Sequence, residues 1–194
     1  EEDGQYGSLA SRYTKALARS MASTKEIKAA NVLNNAQTAG FTGGDGQTML
    51  SASHPTQNGN QSNVLATAAD LSETSLESIL INISDMKDDR GLRIAAQGMQ
   101  LVIPTAYQFT AERLLESALR PSTADNDINA IKAGGYLPRG YHIMRRLTDP
   151  DAFFITTDVP DGLKHFTRSA MKKGMEGDFE TGNVRYKVRE RYSF

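Results

Sequence analysis

The sequence predicts an α+β fold, and three observations support this class. The first is a long segment of helical periodicity from about residue 7 to residue 37. The second is a set of short apolar strands in the second half of the chain, separated by turn residues. The third is that helices and strands do not alternate regularly, which argues against a doubly wound parallel sheet.

The first predicted helix covers residues 7–37. With Ser8 as its N-cap and Gly40 at its end, it would contain roughly 28 residues and be about 42 Å long. Residues 23–26 have capping-box spacing, so two helices broken near Met21 are an alternative. The face opposite the apolar stripe is basic, and we expect it to face solvent or a neighbouring subunit. The stripe is Tyr13, Leu17, Met21, Ile27, Ala30 and Leu33, and the basic face carries Arg12, Lys15, Arg19, Lys25 and Lys28.

A polar segment follows at residues 39–69, rich in Gly, Asn, Gln, Ser and Thr. Residues 43–46 and 58–60 are typical turn sequences, so we expect no helix and no long strand in this segment. Polar stretches of this length are usually functional, covered by a partner, or flexible. Two alternatives have equal weight: a neighbouring subunit covers this segment, or the segment is flexible on its own.

The second helix is predicted at residues 71–87, with Ser72 as its N-cap and Glu73 in its first turn. Its apolar face should pack on a sheet. Residues 88–91 end it as a polar turn. The apolar face comprises Leu76, Ile79, Leu80 and Ile83.

A short buried strand at residues 100–103 leads through Pro104 into a third helix, and Pro121 marks the next break. Further strands are predicted at residues 141–147, 152–157 and 163–168. The apolar residues of the third helix are Tyr107, Phe109, Ala111, Leu114, Leu115 and Leu119.

The last predicted strand has one apolar face and one basic face. A row of four cations repels itself, so a carboxylate surface or nucleic acid would stabilise it; solvation balanced by nearby Glu176, Asp178 and Glu180 is the alternative. The apolar residues are Val184, Tyr186, Val188 and Tyr192, and the basic ones are Arg185, Lys187, Arg189 and Arg191.

Composition and motifs argue against an enzyme. The chain of 194 residues has a formal net charge of −1 and no cysteine, so bulk nucleic-acid binding, disulfides and thiolate sites are not indicated. The three histidines are isolated, and residues 125–136 lack the glycine and the glutamate of a calcium loop. Residues 43–46 lack the ending of a phosphate loop. We expect no catalytic residue, cofactor or metal, and no membrane segment.

Several motifs occur in an order that points to one family. They are GGDGQTMLSASHP (43–55), SN (62–63), ADLS (69–72), LVIPTAYQFTAERLLES (101–117), DNDIN (125–129), LTDPDAFFITTD (147–158), GLKHFTR (162–168) and DFETGNVRYKVRERYSF (178–194). This order resembles a tailed-phage major capsid protein with the Hong Kong 97 type of fold. The resemblance implies a spine helix and loop of the peripheral domain at 1–70, an axial domain at 71–158, and return strands at 159–194. We also expect the chain to be partial at both ends.

By this resemblance the protein is a structural subunit that self-assembles, as pentamers and hexamers, into an icosahedral shell around double-stranded phage or prophage DNA. Implied partners are scaffold and portal proteins and packaged DNA, with assembly in the bacterial cytoplasm and final location in the virion. Alternatives are a cellular compartment-forming shell protein of the same fold, or an unrelated soluble binding module or hydrolase. The candidate inter-subunit contacts are Arg185, Lys187, Arg189, Arg191, Arg12, Lys15 and Arg19.

Overall fold

A computed structural model describes residues 6–120, 127–177, 180 and 184–194. The helices are α1 (Tyr6–Asn34), α2 (Glu73–Ser84), α3 (Gln108–Glu116) and α4 (Ala130–Ala133), and a 3₁₀ turn at Thr105–Tyr107 precedes α3. The strands are β1 (His54–Thr56), β2 (Gly59–Gln61), β3 (Gly98–Ile103), β4 (Tyr141–Ile143), β5 (Phe154–Thr157), β6 (Phe166–Gly177) and β7 (Val184–Ser193). This mixture confirms the α+β class.

The chain divides into two compact units. One comprises the described parts of residues 1–29 and 163–194, and the other comprises residues 30–162 where they are described. The first unit therefore combines most of α1 with the β6–β7 hairpin. The second contains the remaining helices and strands.

The core of the second unit lies against a three-stranded sheet. Its strand order is β4-β3-β5, with β3 parallel to β4 and antiparallel to β5. Leu101 and Ile103 of β3 are fully buried, in one cluster with Leu76 of α2 and Leu114 of α3. Each such side chain contributes about 1.5–3 kcal/mol through burial.

Helix α2 begins as predicted. The Ser75 amide donates to the Ser72 hydroxyl, and the Ser72 amide donates to the Ser75 hydroxyl, so two otherwise unpaired donors are satisfied. The helix ends at Ser84, three residues before the predicted Lys87. The Ile94 amide instead donates to the Met86 carbonyl, which takes the following residues into a turn.

Helix α3 is shorter than its apolar pattern predicts. Ala111, Leu114 and Leu115 are buried, but Phe109 is 73% exposed and Leu119 lies beyond the helix. The helix ends at Glu116 because Ser117 has an extended backbone. Pro121, the predicted break, lies outside the described residues.

Asn129 ties the end of α3 to the start of α4. It is buried, and its amide nitrogen donates to the carbonyls of Leu114 (2.7 Å) and Ser117 (3.1 Å). Its side-chain oxygen accepts from the amides of Ile131 and Lys132, capping α4. The sequence did not predict α4, because a helix of four residues depends on this tertiary contact.

Helix α1 is continuous from Tyr6 to Asn34, which confirms one helix rather than two. Both predicted ends are wrong: Ser8 lies inside the helix, and Gly40 occupies a later turn with φ +100°. The helix ends where the Asn34 side chain bonds to residues 146 and 148. Of the predicted apolar stripe, Ala30 and Leu33 are buried, Leu17 and Met21 are half-buried, and Tyr13 and Ile27 are exposed.

Residues 39–69 contain β1 and β2 as their only strands, as expected.

The three strands predicted at residues 141–147, 152–157 and 163–168 change length. Strand β4 stops at Ile143 because the Leu147 amide donates to Met144 and closes a turn. Strand β5 begins at Phe154, and β6 begins at Phe166 rather than Leu163. Strand β6 continues to Gly177 because pairing with β7 satisfies a polar stretch of low strand propensity.

Candidate subunit interface

Strands β6 and β7 form a long antiparallel hairpin. Their register runs from Phe166 opposite Ser193 to Gly177 opposite Val184, with two irregularities between Thr167 and Lys172. Within the part of the chain that the structure describes, no third strand pairs with either one. A two-stranded ribbon is marginally stable alone, so this hairpin depends on contacts with its faces.

One face of the hairpin carries the cations that the alternation predicts. Opposed residues of an antiparallel pair share a face, and Lys172 lies directly opposite Arg189. The same register places Glu176 opposite Arg185, so the paired positions of this face hold five cations and one carboxylate. All five cations are exposed. We call this surface the basic face; it comprises Arg185, Lys187, Arg189, Arg191 and Lys172.

The opposite face holds a carboxylate that the alternation of apolar and basic residues did not reveal. Glu190 interrupts the alternation of Val188 and Tyr192, and its side chain is only 6% exposed. The Lys25 ammonium of α1 lies 2.6 Å from its Oε1 and 5.3 Å from the centre of the Tyr192 ring. This ion pair joins α1 to β7. A single acid at an apolar position of an alternating strand is the sequence signal that could have indicated it.

Aromatic rings cover the end of the hairpin next to this ion pair. The ring centres of His165 and Phe194 are 4.9 Å apart, and those of Tyr192 and Phe194 are 5.4 Å apart in an edge-to-face arrangement. Beside them, Lys28 and Arg168 help to line an open groove of about 840 Å³. Rings and cations together form a surface suited to a partner with apolar and acidic groups.

The predicted contacts on α1 form a second basic surface. Arg12, Lys15 and Arg19 are exposed and recur at helical spacing, which places them on one side of α1. They thus lie on a different element from the four predicted cations of β7. The structure places the two sets in the same compact unit.

Carboxylates gather at one place in the unit of residues 30–162. Partial burial raises the pKa of Tyr107 above its usual value, and the nearby charges of Asp70, Asp151 and Asp149 raise it further. Each of the three carboxylates therefore lies within electrostatic reach of the Tyr107 hydroxyl. Each is exposed. We call Asp70, Asp149 and Asp151 the acidic cluster.

The only described histidine–carboxylate pair has a structural role. His54 Nδ1 lies 2.6 Å from Asp45 Oδ2, and this hydrogen bond, with one from the Gln47 amide, lowers the pKa of Asp45. The pair closes the turn before β1. Among the described residues no cluster of histidine and acidic side chains has the geometry of a metal site. In the same residues no helix is long and apolar enough to cross a membrane.

The described residues form a surface with exposed cations, a two-stranded hairpin and a long helix that carries exposed apolar residues, which are features of a subunit surface. The family described as phage capsid protein matches residues 1–194, the whole chain. The chain belongs to the phage capsid protein family. Neither the curated proteins nor the solved structures gave a significant match. Membership makes this capsid protein a structural component of the virion.

Proposed function

We propose that this capsid protein is the major head subunit of a tailed phage or prophage. Its copies self-assemble as pentamers and hexamers into an icosahedral shell around double-stranded DNA. The observation that carries the proposal is the family match along the entire chain. Its role is association, not turnover.

The uncovered surfaces support self-assembly. Tyr13 and Ile27 of α1 are 65% and 42% exposed, and Met175 near the far end of the hairpin is 70% exposed. Apolar groups that remain uncovered in a subunit commonly mark the places where partners bind. Neighbouring subunits would bury these groups. Many modest contacts of this kind, repeated by symmetry, stabilise a closed assembly.

We further propose the Hong Kong 97 type of fold, with α1 as its spine helix. In this assignment residues 1–70 and the return strands of 159–194 belong to the peripheral domain, and 71–158 form the axial domain. The support is the length of α1, 29 residues, and the mixed sheet within the second unit. Scaffold and portal proteins and packaged DNA are the proposed partners, with assembly in the host cytoplasm.

Expression of the complete gene, followed by size-exclusion chromatography and negative-stain electron microscopy, tests the proposal. We expect shells or regular capsomers, because the exposed surfaces require partners. The experiment should be repeated with any scaffold protein present. A stable monomer under all of these conditions would refute the capsid assembly and redirect attention to a soluble binding function.

A further inference from the structure

We propose that the basic face of one copy docks on the acidic cluster of a second copy. The inference rests on the proposed function, since it names the partner surface of one contact within the shell. It assigns Arg189 and Arg191 as central cations. Their partners are the carboxylates of Asp70, Asp149 and Asp151 in the neighbouring copy.

The basic face needs an anionic partner. Lys172 and Arg189 are directly opposed across the hairpin, and like charges at opposed positions destabilise a pair of strands. Among the paired positions of the hairpin, Glu176 shares this face, and it lies at the far end opposite Arg185. Lys187, Arg189 and Arg191 form no ion pair with a described residue. The hairpin therefore retains a self-repelling row that a second molecule can neutralise.

The acidic cluster has an excess of negative charge. Asp149 and Asp151 lie in one exposed turn, where the Asp151 amide donates to Asp149 Oδ1 at 3.0 Å. Asp70 precedes α2, and the charges of all three carboxylates act on the Tyr107 hydroxyl. No described lysine, arginine or histidine forms an ion pair with these carboxylates.

Several other acidic groups of the same unit have partners inside it, which reduces their capacity to bind a second copy. Asp85 pairs with Arg93, and Glu73 pairs with Arg120. Further carboxylates accept hydrogen bonds from within the unit: Asp45 from His54, Asp88 from Arg90 and Leu92, Asp89 from Gln57, Glu112 from Tyr141, and Asp158 from Gln97.

The basic row is short. Alternate residues of a strand are about 6.7 Å apart, so the row from Lys187 to Arg191 is about 13 Å long. Three cations of one copy can thus face the three carboxylates of a second copy. The chain has a net charge of only −1, so the two charge excesses can cancel between copies. Because the surfaces differ, the contact is heterologous, and such contacts form rings or extended arrays.

The test uses two reversed variants of the complete protein. The first is Arg189→Glu with Arg191→Glu, and the second is Asp70→Lys with Asp151→Lys; Asp149 is kept because it supports its own turn. Each variant alone should lose at least tenfold in assembly, measured by mass photometry of capsomers, since every contact then joins like charges. An equimolar mixture should recover assembly to within threefold of wild type. Arg90→Glu with Arg139→Glu is the control, because it makes the same charge change elsewhere and should assemble normally.

The mixture decides between the possible occupants. Recovery in the mixture supports contact between copies. Recovery only when both reversals are in one chain would overturn the proposal in favour of an internal contact. Lost DNA binding with normal assembly would overturn it in favour of nucleic acid.

The folding of each variant and the assembly of the wild type are measured in the same experiment. If circular dichroism shows that a reversed variant does not fold, Arg189→Gln with Arg191→Gln replaces it, and should weaken assembly and reduce its salt dependence; unchanged assembly would refute the contact. Failure of wild type to assemble would count against the proposed function itself. Wild-type assembly together with unaffected reversed variants would remove this contact alone.

Discussion

Replacement of Lys25 by methionine should destabilise the unit of α1 and the β6–β7 hairpin by about 2 kcal/mol. The change keeps the length of the side chain but removes the ammonium group that lies 2.6 Å from Glu190. Glu190, only 6% exposed, would then carry an almost buried charge without this partner. The contact of Lys25 with the Tyr192 ring is lost as well.

The magnitude lies between two limits. Exposed ion pairs contribute about 0.2–1 kcal/mol, whereas removal of one partner from a buried pair costs about 3–5 kcal/mol. Glu190 resembles the buried case, but Lys25 is 33% exposed, and water that reaches its ammonium screens the pair. An intermediate value of about 2 kcal/mol corresponds to a Tm lower by about 4–8 °C for a chain of this size.

Hydrogen exchange of residues 184–194 in the unassembled subunit measures this loss of stability in the unit that contains Lys25 and Glu190. Protection of these amides should fall about 30-fold, if they exchange through unfolding of the unit. Lys28→Met is the matched control, since Lys28 lies on the same helix, is exposed and has no described ion pair. Its replacement should cost less than about 0.5 kcal/mol.

A double variant tests whether the loss comes from the ion pair. Lys25→Met combined with Glu190→Met replaces both charges by apolar groups, which is often nearly neutral. The double variant should therefore be more stable than Lys25→Met alone. Equal effects of Lys25→Met and Lys28→Met, or no coupling in the double variant, would refute the reasoning.

Three further changes have defined outcomes. Gly98→Val should cost about 1–3 kcal/mol in urea unfolding, because a Cβ there would lie 2.8 Å from Leu80 Cδ2, whereas Gly174→Val meets no atom within 4 Å; equal costs would contradict this reasoning. Asn129→Asp should cost about 2 kcal/mol by the same assay, since a carboxylate cannot donate to the two carbonyls that Asn129 binds, and an unchanged midpoint would refute it. The pKa of Asp45 is lowered from 3.8, so its stabilisation is present above about pH 5 and is lost as pH falls through the lowered pKa. Thermal unfolding from pH 6 to pH 3 should therefore be less pH-dependent in Asp45→Asn; an identical slope would count against this linkage.

The sequence correctly predicted the features that depend on neighbouring residues in the chain. The Ser72 cap and the apolar spacing of α2 are properties of consecutive residues, so the start and buried face of this helix were correct. Its end at Ser84 depends on a turn closed by more distant backbone bonds, which no local pattern encodes. Helix α4 depends on Asn129, whose partners lie up to 15 residues away.

The same distinction applies to the candidate interface. Alternation in β7 correctly placed Arg185, Lys187, Arg189 and Arg191 on one face, because the period of a strand is fixed by its geometry. It could not show that Lys172 joins them, since register across a hairpin with irregularities requires the fold. Nor could it show that Asp70, Asp149 and Asp151, which are far apart in sequence, all lie within electrostatic reach of Tyr107.

Glu190 shows why charge pattern and burial must be considered together. By type it belongs with the charged residues of β7, but by position it lies on the half-buried face with Val188 and Tyr192. Its charge is balanced inside the unit by Lys25, whereas the cations of the other face have no comparable internal carboxylate near Arg189. One strand thus carries two electrostatic roles: its inner face holds the hairpin to α1, and its outer face is left to attract another molecule. In a shell subunit this separation allows assembly contacts to change without loss of the fold, because the ion pair that stabilises the unit lies on the face opposite the partner.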